Sequence, residues 1–147
     1  MYKNILVAVD GSDASVRALE TAIDLAKQFA TKLHIVHVVR EMQVPTNIGR
    51  LEDVEKLQRH RHETLTAVGD QIVTQAKRKA QTSGVSSVDS DIAAGDPASA
   101  IVKYADKNGV DLIVMGSRGL GQVESLLMGS VSRKVANTAK VACMVIR

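Results

Sequence analysis

Apolar residues in this chain alternate between short unbroken runs and longer stretches where they recur every third or fourth position. Asn4 to Asp10 is a run of branched aliphatics closed by a carboxylate, the pattern of a strand buried on both faces. Gly11-Ser12-Asp13 then offers a turn and N-cap residues. Beyond it Val16, Leu19, Ile23, Ala26 and Ala30, widened by Ala18, Ala22, Leu25 and Phe29, form one face of a helix. Leu33 to Val39 is a second strand. Pro45, Asn47 and Gly49 mark a loop before a long helix over Leu51 to Ser83, ended by Gly84 as its C′ residue. A more polar strand follows over Ser86 to Ala93. Gly95-Asp96-Pro97 supplies a turn, an N-cap and a proline at the first helical position, and that helix stops at Asn108-Gly109. Leu112 to Met115 is a short apolar strand. A glycine-rich stretch then runs to Gly129, a short helix covers Ser130 to Thr138, and Val141 to Ile146 is a last strand.

Strands alternating with helices imply parallel strands joined by right-handed crossovers, hence an open α/β sheet with helices on both faces. Five strands in the order 3-2-1-4-5 place the reversal of winding between the first and fourth, and ligands of such sheets bind at the carboxyl ends beside the reversal. Those ends are Asp10 and Gly116. One Rossmann-like domain over residues 1–147 is expected, a length sufficient for a continuous core.

Composition narrows the choice of ligand and compartment. The chain is 45% apolar but only 2% aromatic, and its formal charge is +3. A basic stripe interleaved with aromatics is missing, which argues against nucleic acid. The one cysteine, Cys143, cannot form an intrachain disulfide and reads as a small buried hydrophobe. The first apolar stretch is too short for a signal-peptide core or a membrane span, so a cytoplasmic protein is expected.

Chemistry concentrates after the fourth strand. Met115-Gly116-Ser117-Arg118-Gly119-Leu120-Gly121 leaves a strand, and Gly129-Ser130-Val131-Ser132 opens a helix. Glycines admit an anion close to the backbone, free N–H groups and the Ser130 hydroxyl can donate to phosphate oxygens, and Arg118 adds positive charge. Asp10, ending an apolar strand, can meet a ribose hydroxyl or a metal, or can simply cap the turn at Gly11 and Ser12.

The spacing G-x-x-G-x9-G-[ST], met by Gly116, Gly119, Gly129 and Ser130, resembles the ATP-binding branch of the universal stress protein family. The opening Ile5 to Ser12, His37-Val38, Gly95-Asp96-Pro97 and the closing strand extend the likeness over essentially the whole chain. The resemblance implies that Ala8 and Val38 line an adenine pocket, with Val9 and Met115 close by. It implies that Asp10 faces the ribose or a Mg²⁺, and that Gly116, Ser117, Arg118 and Gly119 with Ser130, Val131 and Ser132 hold the phosphates of ATP. It also implies a homodimer through Val141 to Ile146, a strand that the sequence independently marks as an apolar sheet edge.

Other constellations fail on geometry. His60 and His62 point to nearly opposite sides of a helix, and His34 and His37 to opposite faces of a strand, so neither pair can chelate one metal. Glu124 stands where a dinucleotide fingerprint needs its third glycine, and Val131 where a P-loop needs lysine. The expected function is a nucleotide-responsive regulatory module in stress response, read by other proteins. Its rivals are an ATP-using hydrolase or phosphotransferase and a nucleotide-free structural dimer. No glutamine, glutamate or histidine in the loop has an evident claim on the γ-phosphate, Gln122 and Glu124 being the nearest candidates, so at most slow hydrolysis, or self-phosphorylation on Ser130 or Ser132, is expected.

Overall fold

Strand β1 (Asn4–Ala8) lies at the centre of the molecule, and its Ile5, Leu6 and Val7 are wholly buried. Ile5 and Val7 point to one face of the sheet and Leu6 to the other, as the two-residue period of a strand requires. The computed structural model describes residues 1–41, 50–119 and 128–147, so Pro45, Asn47 and Gly49, and likewise Gly121, Gln122 and Glu124, lie outside the described residues.

The elements follow in the order β1, α1 (Asp13–Phe29), β2 (Lys32–Val39), α2 (Leu51–Thr82), β3 (Val88–Ala94), α3 (Pro97–Lys107), β4 (Leu112–Gly116), α4 (Ser130–Thr138) and β5 (Ala142–Ile146). The five strands form one parallel sheet in the order β3-β2-β1-β4-β5. Helices α1 and α2 cover the Ile5 and Val7 face, packing Ala18, Leu19, Ala22, Ile23, Val73, Ala76 and Ala80 against it. Helices α3 and α4 cover the Leu6 face with Ala98, Ile101, Ala105 and Val135. The abundance of alanine on these helices lets them lie close to the sheet, which suits a core almost free of aromatics.

Several boundaries differ from those read in the sequence. Strand β1 stops at Ala8 rather than Asp10: Val9 N–H still donates to Val36 O at 2.9 Å, but Gly11 at φ +85° turns the chain out of the sheet. Helix α1 ends at Phe29, and Ala30, instead of continuing the apolar face, is an exposed C-cap in the left-handed conformation at φ 50°. Val16 is likewise 42% exposed. Strand β3 begins two residues late, at Val88, because Val85 N–H is still closing the end of α2 on Ala80 O.

One polar group lies deep in the sheet. His34 is 3% exposed, its Nδ1 is 3.4 Å from Tyr104 Oη, its ring meets the tyrosine edge-on, and its Nε2 has no partner among the described residues. Burial, helped by the charge of Lys32 and opposed by Asp89, pushes the imidazole below its ordinary 6.5. The native state therefore binds fewer protons than the unfolded chain below pH 6.5, and stability present above that pH is lost as pH falls. The carboxylates of Asp89 and Asp96 are both lowered from 3.8, so they titrate below this window. Thermal denaturation from pH 7.5 to 5 will show a decline no steeper than one proton allows, about 1.4 kcal/mol per pH unit. The substitution His34→Gln will flatten it.

Candidate functional site

The carboxyl ends of β1 and β4 lie side by side, and the chain leaves them in opposite directions, toward α1 and toward α4. Beyond β1, the Asp10 carboxylate turns onto its own loop: Oδ1 accepts from Ser12 N at 2.9 Å and Ser12 Oγ at 2.5 Å. Ser12 Oγ in turn accepts from Ser15 N at 3.2 Å as the N-cap of α1, and Asp10 N–H donates to Ser15 Oγ at 3.3 Å. The capping role open to Asp10 in the sequence is thus realised, and it still faces the cleft described below.

Beyond β4, Gly116 packs against α1. A Cβ there would lie 2.9 Å from both the carbonyl carbon and the Cβ of Ala14. Ser117 N–H donates to Ile146 O at 2.6 Å, and Ser117 O accepts from Gly129 N at 2.5 Å and from Ser132 Oγ at 2.9 Å. The two ends of the glycine-rich stretch are therefore tied together at one carbonyl. A Cβ on Gly119 would come 2.5 Å from Asp10 Oδ2, so this glycine lets the stretch pass over the carboxylate.

Helix α4 begins at Gly129 without a side-chain cap and without an acidic residue in its first turn. The other described helices differ: α1 and α3 are capped by Ser12 and Asp96, and α2 has Glu52 and Asp53 in its first turn. Its first N–H groups have no intrahelical acceptor, and they carry the positive end of the helix dipole. Ser130 is exposed there. Ser132 is buried, its hydroxyl committed to Ser117 O and to Gly129 O at 3.1 Å, so it braces the helix start from behind. Lys134 of α4, 2.9 Å away, and Ser99 lower the Asp96 carboxyl to about 2, and the pair ties the start of α3 to the middle of α4.

Between these parts lies a cleft of about 310 Å³, a size suited to a small molecule. Every site residue read from the sequence lines it: Ala8, Val9, Asp10, Val38, Met115, Gly116, Ser117, Arg118, Gly119, Gly129, Ser130, Val131 and Ser132. Ile101 and Pro97 of α3 complete an apolar slot with Ala8, Val38, Met115 and Val131. The sequence did not announce Ile101 or Val36, which carry no more than a core signal, nor Ser15, His37, Val39, Arg40, Arg61 and Leu65. His37 Nδ1–H donates to Val9 O at 2.8 Å, closing the end of the β1 ladder. His60 and His62 are exposed, and no group of three metal-ligating side chains exists among the described residues. No described helix is long and apolar enough to cross a membrane.

A family model described as "Universal stress protein family" matches residues 1–147. The universal stress protein YxiE of Bacillus subtilis is 38% identical over 149 residues, covering 100% of both chains. Among solved structures, universal stress protein UspA from Lactobacillus plantarum superposes with a TM-score of 0.90 at 26% identity, covering 99% of this chain and 98% of that one. A universal stress protein solved in complex with cAMP has a TM-score of 0.69 at 26% identity over 99% of this chain and 97% of its own.

The two loop glycines differ in what opposes a side chain. At Gly116 a Cβ meets helix backbone, which cannot yield cheaply, whereas at Gly119 it meets the end of a carboxylate. Gly116→Ala will cost about 1–3 kcal/mol, a fall in Tm of roughly 3–10 °C by circular dichroism, and Gly119→Ala clearly less.

Proposed function

The chain belongs to the universal stress protein family, and from that premise we propose that it is a nucleotide-responsive regulatory module that holds ATP at the carboxyl ends of β1 and β4. The observation that carries the reading is the junction, within one cleft, of an apolar slot with an uncapped helix N-terminus and a glycine-rich strand exit. The slot would take a planar base. The N–H groups of Ser130, Val131 and Ser132 would take phosphate oxygens, with the hydroxyl of Ser130 beside them. The complex of a relative with cAMP supports an adenine nucleotide as the class of ligand.

In this reading Ala8, Val38 and Met115 enclose adenine, with Val9 alongside. Asp10, steadied through Oδ1 by Ser12, meets the ribose. A Mg²⁺ fits here only as a shared ion: among the described residues lining the cleft Asp10 is the single carboxylate, and Mg²⁺ characteristically takes one or two carboxylates together with substrate phosphates. When bound, it would neutralise phosphate charge. Binding of ATP would order contacts across the Gly116 and Gly129 ends, which Ser117 O already ties together, and so alter the surface offered to a regulatory protein partner.

ATP will bind more tightly than GTP in isothermal titration calorimetry. Gly129→Val, which puts a branched side chain at the α4 N-cap where phosphate must approach, will abolish binding while the helical circular dichroism stays intact. Unchanged ATP affinity in that variant would remove the α4 end from the account.

The same family premise supports a homodimer. Strand β5 is the sheet edge next to β4, its Cys143 to Ile146 are half-buried, and its outer side carries no strand among the described residues. A second copy pairing there about a two-fold axis would cover that edge. Val145→Lys and, separately, Val145→Pro will give monomers in light scattering, and a dimer that survives both places the contact elsewhere.

A further inference from the structure

The side of the cleft that the sequence left unannounced is basic. Arg40 directly follows β2, and Arg61 reaches the cleft from α2. The same two arginines, with Glu41, Gln58 and His62, line a second cavity of about 280 Å³, so the two hollows adjoin at them. Strands β2 and β4 flank β1 on opposite sides, about 10 Å apart at ordinary strand spacing. The arginines therefore stand across β1 from the glycine-rich exit of β4 and the start of α4.

Arg61 is half-buried and has no ion pair or hydrogen bond among the described residues, and exposed Arg40 has none either. Glu41, the one carboxylate lining the second cavity among the described residues, pairs with neither. The helix itself offers Arg61 no carboxylate, because the residues three and four away are Leu57, Gln58, Thr64 and Leu65. Its neighbours on α2 are provided for: Arg59 has Glu55 and Glu63 at four residues' distance, and Lys56 has Glu52 and Asp53. Residues 42–49 contain no acidic side chain. A partly buried guanidinium that the described residues leave without an ion pair, on the wall of a ligand-sized cleft, is complementary to an anion brought by the ligand.

We infer that Arg40 and Arg61 form a second anion subsite, and that the preferred ligand is an adenine nucleotide carrying a further phosphate outside its 5′ chain. This rests on the nucleotide reading above and deepens it: one anionic end meets the α4 N-terminus, the base fills the apolar slot, and the other anionic group reaches across β1 to the arginines. The further phosphate can be borne by the ribose or belong to the second half of a dinucleotide.

The test is calorimetry on the full chain with AMP, ATP, adenosine 3′,5′-bisphosphate and diadenosine tetraphosphate. At least one of the last two will bind about tenfold or more tightly than AMP, and which one does so identifies the source of the further phosphate. In the double substitution Arg40→Gln, Arg61→Gln that preference over AMP will fall to near unity, while Arg61→Lys alone will keep part of it. Binding of AMP and ATP without any gain for the other two ligands overturns this inference and leaves the nucleotide reading standing. A gain that persists in the double variant also overturns it. So does an equal fall in the ratio of ATP to AMP affinity, which would put the arginines on the 5′ chain. Failure of all four ligands to bind overturns the nucleotide reading and this one with it.

Discussion

The architecture turns on one topological constraint, the reversal of winding between β1 and β4. Because β1 is buried on both faces and flanked by β2 and β4, its own chain and that of β4 can only leave the sheet at the carboxyl ends, one toward α1 and the other toward α4. Two exits diverging from adjacent strands open a crevice between them. Its floor is necessarily apolar, being the ends of core strands. Its rim is necessarily polar, being turns and helix starts whose backbone groups lack partners. A site for a ligand with a flat apolar part and an anionic part follows from the winding before any special residue is considered.

How the rim is braced decides which backbone groups remain available. On the β1 side Asp10, Ser12 and Ser15 satisfy one another, so the start of α1 is closed by its own side chains. On the β4 side Ser117 O absorbs Gly129 N–H and the Ser132 hydroxyl, which anchors the start of α4 from within and leaves its first turn open toward the cleft. The contrast between a self-capped helix and an uncapped one, on two sides of one crevice, orients an anion toward α4. The glycines serve this geometry in two different ways. Gly116 brings β4 against the backbone of α1, and Gly119 clears the Asp10 carboxylate. A glycine pattern that reads as a phosphate cradle is therefore also a packing requirement of the surrounding elements.

The α2 side adds a charge asymmetry of a different origin. Helix α2 is 32 residues long and buries only Gly69, Val73, Ala76 and Ala80, all in its second half. Its first half reaches past the sheet and can present Arg61 and Leu65 to the cleft, beside Arg40. Gly69 permits this approach, since a Cβ there would lie 2.7 Å from the His37 ring, and His37 in turn holds Val9 O at the end of β1. Thus a helix that serves the core at one end contributes to the ligand cleft at the other.

The element order, the sheet and the residues of β1, β4 and the α4 start were legible in the sequence, because burial on two faces writes continuous aliphatic runs and helix starts and strand exits carry local turn chemistry. Local signals named Asp10, the Gly116 to Gly119 exit and Ser130, while the family resemblance added Ala8, Val9, Val38 and Met115, and all of these line the cleft. What failed to show locally was whatever depends on a partner distant in the chain. Ala30 looks like one more helical alanine until α1 ends beneath it in a left-handed cap, and Val16 looks like a core residue although it lies beside the face that Ala14, Ser15, Ala18 and Leu19 bury. Arg61 is one of many charges on a polar helix, and its lack of carboxylates at helical spacing is shared by Lys77, Arg78 and Lys79, while Ile101 and Leu65 carry no signal beyond amphipathicity. These residues became part of a site only when crossovers brought α2 and α3 to the same crevice. Sequence periodicity records which face of an element is buried, whereas which elements meet at that face is decided by the tertiary fold.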